Sequence, residues 1–309
     1  MKRTDFYFPS VSGLADIHAV KFLPDGEIKA VLQIAHGMAE HVERYVAFAE
    51  YLTNEGIAVY TNDHLGHGKS VKNDDELGYF GEKDGWKSFV EDCYKLTEIA
   101  KSENSGKPYV FFGHSMGSFV ARAYTFKYAN EINGAVFCGT SGANPLAGIG
   151  ITLAKAIKAV KGDHHRSKLI DKMSFGSYNK RCEGRTSFDW LTRDTDIVDK
   201  YIADKYCGFL FTISGSIDLM SVLSYVSAPD WYQGFNKELP VFVISGQEDP
   251  VGAYGAGTKE VADGLKNAGV KDVTMKLYPE CRHEILNESR AFNEVCKDVT
   301  DFVYRVCNL

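Results

Sequence analysis

No run of Lys and Arg breaks the acidic balance of this 309-residue chain, whose formal net charge at pH 7 is -6. A nucleic-acid partner, which needs a basic face for phosphate, is therefore not expected. No stretch approaches the roughly 18 continuous apolar residues of a membrane-spanning helix, so no transmembrane segment is expected. Met1-Lys2-Arg3-Thr4-Asp5-Phe6 carries charge without an apolar segment behind it, and no secretory signal is expected either. Among the seven cysteines there is no Cys-x-x-Cys pair. That excludes a zinc or disulfide framework and points to a reducing compartment, the cytoplasm. Gly148-Ile149-Gly150 lacks the third glycine and the preceding strand of a dinucleotide fingerprint, and no cofactor or resident metal is expected. Internal repeats, low-complexity segments and flexible linkers are missing, and nothing in the sequence speaks to oligomeric state.

What is present is 44% hydrophobic residues, enough for one large core or a core with an inserted subdomain. The patterning predicts strands at 6–8, 17–22, 30–35, 57–62, 109–112, 134–139, 239–245 and 273–278. Helices are expected at 42–54, 86–102 and 119–128, and Pro24-Asp25-Gly26 reads as a hairpin turn into the strand at 30–35. Strands alternating with helices imply a mostly parallel sheet covered on both faces.

Gly113-His114-Ser115-Met116-Gly117 is the most informative stretch, because an apolar strand precedes it and a helix follows. Strand, Gly-x-Ser-x-Gly, helix is the context of a nucleophile elbow, in which a strained turn exposes the serine hydroxyl and the flanking glycines avoid collision with neighbouring backbone. A serine nucleophile needs a base and an orienting carboxylate. His283 lies on a loop just past the strand at 273–278, and Asp249 follows the strand at 239–245, so Ser115, Asp249 and His283 are expected at one edge of one sheet. Glu248 and Glu280 are rival carboxylates; Asp249 is preferred because Pro250 makes a rigid turn after the strand. Glu284 is read as a solvated or structural neighbour of His283.

The oxyanion of a tetrahedral intermediate needs two amide donors. Met116, at the start of the elbow helix, supplies one, and Met38, on the loop after the strand at 30–35, supplies the other. His36 opens that loop and reads as a hydrogen-bonding brace. His64 and His67 have His-x-x-His spacing, yet a glycine-rich loop does not align two imidazoles and no cysteine or acidic cluster completes a metal site; with Asp63 they are expected to brace the rim. His164 and His165 read as surface, and the sequon Asn287-Glu288-Ser289 carries no weight without a secretory signal.

These segments together resemble the monoacylglycerol lipase and lysophospholipase branch of the α/β-hydrolase superfamily. The matching residues are His36 to His41 with Arg44-Tyr45, Asp63 to Ser70, Gly113 to Gly117, Ser245 to Gly252 and His283 to Glu288. The resemblance implies the α/β-hydrolase fold, an eight-stranded, mostly parallel sheet with helices on both faces and an inserted helical cap. It also implies Ser115, Asp249 and His283 as the triad, with Met38 and Met116 as oxyanion amides. Ala39 and Ser118 depart from the glycines usual in the family.

The alternation breaks between Gly139 and Pro240, a gap far longer than one crossover needs. Ile149, Leu153, Ile157 and Val160 recur at helical spacing, as do Leu210, Ile213, Ile217 and Met220. The expected division is a core at 1–142, a helical cap at 143–230 and the rest of the core at 231–309. Part of the cap's apolar surface is expected to line an acyl groove, and Asp218 could face a head group or solvent. The sequence therefore predicts a serine hydrolase of carboxylic esters acting through an acyl-enzyme, with a monoacylglycerol or lysophospholipid ester as small-molecule substrate and transient membrane contact left open. The alternatives are a short-chain carboxylesterase, a peptidase of the proline-iminopeptidase kind and a non-catalytic ligand-binding protein. An aspartate nucleophile, as in dehalogenases, is excluded by Ser115.

Overall fold

A computed structural model describes residues 1–309. Eight strands form one sheet: β1 (Lys2–Pro9), β2 (Asp16–Leu23), β3 (Ala30–Ala35), β4 (Ile57–Asn62), β5 (Tyr109–His114), β6 (Gly134–Cys138), β7 (Val241–Gly246) and β8 (Val273–Tyr278). Their spatial order is β1-β2-β4-β3-β5-β6-β7-β8. β3, β4, β5, β6 and β7 are buried along their whole length, which is why they read as largely apolar runs without alternation. A parallel strand covered on both faces has no solvent side to mark with polar residues. The expected hairpin from β2 into β3 does not form. β2 pairs antiparallel with β1 and β4, while β3 pairs parallel with β4 and β5. Every residue of β3 is buried, so it takes an interior place and Pro24-Asp25-Gly26 begins a crossover.

The helices lie on both faces. α1 (Val46–Asn54) and α10 (Phe292–Cys307) cover one face, with Phe48, Leu52, Val295, Val299 and Phe302 packed on β-strand residues such as Phe112 and Phe242. The segment 42–45, expected to open α1, is a separate 3-10 turn. α2 (Gly85–Glu103) and α3 (Met116–Tyr128) cover the other face with α9 (Ala256–Asn267). α3 is buried from Met116 to Thr125, so it is held on all sides and fixes the turn that precedes it.

Between β6 and β7 come α4 (Ala147–Lys161), α5 (Lys168–Phe175), α6 (Thr195–Ala203), α7 (Ile213–Val226) and α8 (Pro229–Gly234). α4 covers the first helical stripe read from sequence and α7 the second from Ile213 onward, Leu210 lying ahead of the helix. The α4 stripe is not a core face throughout: Ile149 and Val160 are 63% and 81% exposed, whereas Ala154 is buried against Ile170 and Ile213. Asp218 on α7 faces neither solvent nor a head group. It is 3% exposed, one carboxylate oxygen has no hydrogen-bond partner, and the first amides of α2, Gly85 and Trp86, face it.

Burial raises the Asp218 carboxyl to about 7, against partial relief from those two amides. Between its unfolded value near 4 and 7 the folded state binds the proton more tightly, so stability falls as pH rises through that window. Asp218→Asn keeps the acceptor and removes the buried charge. It is expected to raise the melting temperature relative to the parent at pH 8, with the gain shrinking towards pH 4; a variant less stable at pH 8 would show the carboxylate to be a net stabiliser.

Candidate active site

Ser115 sits where β5 turns into α3, with φ 55° and ψ -122°. That backbone is strained for any residue with a Cβ, and neighbouring glycines make it attainable. A Cβ on Gly113 would collide with the Gly117 carbonyl, and one on Gly117 would collide with the Ala35 carbonyl. The Ser115 amide donates to Cys138 O at 2.9 Å, tying the turn to β6. The side chain is half-buried and faces a cavity of about 630 Å³ that Met38, Met116 and His283 also line.

Asp249 lies past β7 and His283 past β8, and the loops bring them together. His283 Nδ1 is 3.0 Å from Asp249 Oδ1. Asp249 is fully buried and accepts also from the Val251 amide (Oδ1, 2.8 Å) and the Ser245 hydroxyl (Oδ2, 2.8 Å). Burial opposes its ionisation, but His283 and these two donors outweigh it and hold the carboxyl below its ordinary value. The rival carboxylates point elsewhere: Glu248 pairs with Arg193 and Glu280 with Arg290, both at the surface. No protein acceptor takes the Ser115 hydroxyl, so the serine and the imidazole share a cavity wall without a direct hydrogen bond between them, a geometry that commonly tightens on substrate binding. Gly139, at the end of β6, has φ 58°, and a Cβ there would lie 3.0 Å from His283 Cε1. Glycine takes this positive φ without strain and leaves the imidazole undisplaced.

Met116 is the first residue of α3, where a helix has no internal acceptor for its amide. Met38 stands on the loop after β3, and its amide donates to no protein acceptor. Ala39 adopts φ 49°, a conformation that favours glycine. The loop is held by Glu40, whose carboxylate accepts from the Gly37 amide (2.5 Å), Tyr45 Oη (2.8 Å) and Arg44 Nη1 (2.9 Å), with His114 Nδ1 at 3.3 Å. Arg44 also forks onto Glu284 at 2.5 and 2.6 Å. A buried chain of charges thus joins the Met38 loop to the residue after His283. Burial disfavours charge on Glu40 and Arg44 alike, yet the His114 hydrogen bond and then Arg44 hold Glu40 well below its usual value, and Glu284 and then Glu40 hold Arg44 well above its own. Glu284 is therefore not solvated, being 4% exposed. Glu40 and Arg44 stand four residues apart, but nothing in the sequence points from them to Glu284.

His36 is a brace: its Nδ1 donates to Gly37 O at 2.8 Å, and Nε2 accepts the His64 amide at 2.9 Å. Asp63 braces the rim by accepting from the Val42 and Lys69 amides and from His18. His64 and His67 contribute differently from expectation. Their rings are buried against Phe80, Phe89, Phe209 and Phe211, and both His64 nitrogens and His67 Nε2 lack partners. Burial depresses both, His67 to about 3, so they stay neutral. His164 is exposed and stacks on Tyr79, with ring centroids 3.9 Å apart.

The segment 189–193 docks on the His283 loop. The His283 and Glu284 amides donate to Trp190 O (3.4 Å) and Leu191 O (2.7 Å), and Arg282 reaches Asp189 O at 2.8 Å. The Trp190 ring lies 5.2 Å from the imidazole. Most of the cavity's lining is apolar, including Phe119, Phe175, Phe209, Leu219 and Leu223. No helix is long and apolar enough to cross a membrane.

The chain is 28% identical to a monoacylglycerol lipase of Mycolicibacterium smegmatis, the match covering 97% of each chain. It is 24% identical to the monoglyceride lipase of Mus musculus over 91% of this chain and 84% of that one. Among solved structures, a thermostable carboxyl esterase from Bacillus coagulans in complex with glycerol superposes with a TM-score of 0.93 at 28% identity, covering 99% of both chains. The family profile described as serine aminopeptidase, S33 (Hydrolase_4), matches residues 26–290. This chain, with its eight-stranded sheet and its elbow serine, belongs to that family of α/β-hydrolases.

Proposed function

We propose that the protein is a serine hydrolase of lipid esters that carry one acyl chain, monoacylglycerol foremost and lysophospholipid next, acting through an acyl-enzyme. The observation that carries this reading is the cavity: a half-buried elbow serine and an aspartate-held histidine face about 630 Å³ of mostly apolar space. Ser115 Oγ attacks the ester carbonyl while His283 Nε2 takes its proton. Asp249 keeps the other ring proton on Nδ1 and balances the imidazolium charge. The Met38 and Met116 amides receive the oxyanion. Collapse expels glycerol with the proton from His283, and a water repeats the cycle on the acyl-enzyme to release the fatty acid.

The family's description names an aminopeptidase, and a peptidase of that kind needs acidic groups for the substrate's free amine. Three carboxylates line the cavity, Glu40, Asp171 and Glu284. Arg44 pairs with Glu40 and Glu284, leaving Asp171 alone, with burial raising its carboxyl. One half-buried carboxyl without a second is poor provision for an ammonium and suits a glycerol hydroxyl better. The monoacylglycerol lipase and esterase relatives support the same choice. Residues 143–230 are proposed as the cap that carries substrate selection, since Phe175, Leu219, Met220 and Leu223 come from it. Seven free cysteines support a cytoplasmic setting, with membrane contact limited to collecting substrate.

Each acyl methylene moved from water into the cavity contributes up to about 0.8 kcal/mol, nearly fourfold in binding. Over monoacylglycerols from four to about twelve carbons, kcat/KM is expected to rise and then level. A maximum at acetyl or butyryl esters would make this a short-chain esterase, and preference for prolyl amides over every ester would make it a peptidase.

A further inference from the structure

On the far side of the Met38 loop, outside the cavity lining, His41, Asp204 and Cys207 converge. One nitrogen, one oxygen and one sulfur from these three all lie within 4.8 Å of one another. His41 and Cys207 are 7% and 9% exposed, whereas Asp204 is half-buried and opens the cluster to solvent. His41 Nε2 is 2.9 Å from Asp204 Oδ2, and the other Asp204 oxygen is fixed by the Tyr206 amide at 2.9 Å. Cys207 forms no disulfide, and its sulfur has no hydrogen-bond partner.

We propose that His41 Nε2, an Asp204 carboxylate oxygen and Cys207 Sγ bind one zinc-class divalent cation, with water in the fourth position. A mixed nitrogen, oxygen and thiolate set suits a borderline-soft tetrahedral ion and disfavours calcium or magnesium, which take oxygen ligands. With bonds of about 2.0 to 2.3 Å, tetrahedral ligand atoms stand roughly 3.3 to 3.7 Å apart, so the pre-existing spacing needs side-chain adjustment but no change in the backbone path. The amide held by Asp204 gives the carboxylate the fixed orientation that ligands need. Binding replaces the His41 Nε2–H to Asp204 hydrogen bond, the ring proton passing to Nδ1 as the neutral imidazole changes tautomer, and it displaces the thiol proton, so each ion taken up releases one proton, from Cys207. The Arg44 guanidinium is the nearby cation, and Glu40 and Glu284 already neutralise it.

The ligands come from two separate segments. His41 follows the Met38 loop, while Asp204 and Cys207 lie between α6 and α7. Gly208 N and Tyr201 Oη already donate to Ala39 O, each at 3.0 Å. A bound ion adds a third link across the same seam, clamping the proposed cap to the loop that presents the Met38 amide. The simpler reading is a hydrogen-bonded His/Asp pair beside an inert buried thiol.

Titrating the full chain with Co2+ as probe separates the two without using turnover. One ion per chain is expected, with a near-ultraviolet thiolate-to-cobalt band and intense visible bands of a four-coordinate ion, displaced by Zn2+. Cys207→Ser should abolish the thiolate band, and Asp204→Asn should weaken binding about tenfold or more. Zn2+ should raise the melting temperature of the parent by ~3 °C or more and leave Cys207→Ser unmoved. Both variants are near-isosteric, and their melting without metal reports whether they fold. Absence of a thiolate band in the parent, or a band that persists in a folded Cys207→Ser, would overturn the site.

Discussion

Replacing Ser115 with alanine is expected to remove covalent labelling by a fluorophosphonate and to lower ester turnover on the order of a millionfold, while melting changes little. Melting is spared because the Ser115 hydroxyl has no protein partner to lose, and the backbone strain at φ 55° is already that of a residue with a Cβ. Turnover collapses because the elbow hydroxyl is the nucleophile of the proposed reaction and alanine offers none in its place. The cysteines cannot substitute: Cys138, Cys207 and Cys281, the last only two residues before His283, are buried and their thiols are held protonated by that burial. Turnover and labelling that survive in Ser115→Ala would move the nucleophile away from the elbow and, with it, the reading of the cavity.

The elbow was legible because its requirements are local. A Cβ two residues before or after Ser115 has nowhere to go, so the chain writes glycine there, and the flanking strand and helix write their own periodicities. Asp249 and His283 were legible by position, each just past a strand. The Glu40, Arg44 and Glu284 chain was not, because its worth lies in contact across 240 residues and a charged residue reads by default as solvated. The same holds for Asp218, a carboxylate on an apolar helix whose partner is the start of α2. The false hairpin at Pro24 has another cause: a turn signal reports that the chain reverses locally and says nothing about which strand lies alongside. For the buried histidines His64 and His67, polarity in the sequence was misleading because a neutral imidazole packs on aromatic rings much as another ring does.

The Glu40 to Glu284 chain also explains how two loops from opposite ends of the sequence keep a common geometry. An oxyanion donor has to be within a few tenths of an ångström of its place when charge develops. The Met38 loop has an alanine in left-handed conformation where glycine would relax it, so a rigid tether matters more here than it would with glycine at that position. Arg44 supplies that tether with a planar fork on Glu284 and a second bond to Glu40.

Asp249→Asn is expected to leave the fold intact and to slow turnover by about 10²- to 10⁴-fold. The surroundings of the carboxylate decide how. His283 Nδ1 and the Val251 amide share Oδ1, while Oδ2 takes the Ser245 hydroxyl. An asparagine whose amino group replaced Oδ1 would face the Val251 N–H donor to donor. The preferred orientation keeps its oxygen there and turns the amino group to Ser245, whose hydroxyl can accept. The histidine then retains the tautomer that leaves Nε2 free for Ser115, and what disappears is the negative charge opposite the imidazolium that forms in each transition state. That loss acts on the chemical step, so kcat should fall and KM for a monoacylglycerol should change little. A variant with near-normal kcat would shift the orienting role to another carboxylate, and one with unchanged kcat and a raised KM would remove Asp249 from the chemistry altogether.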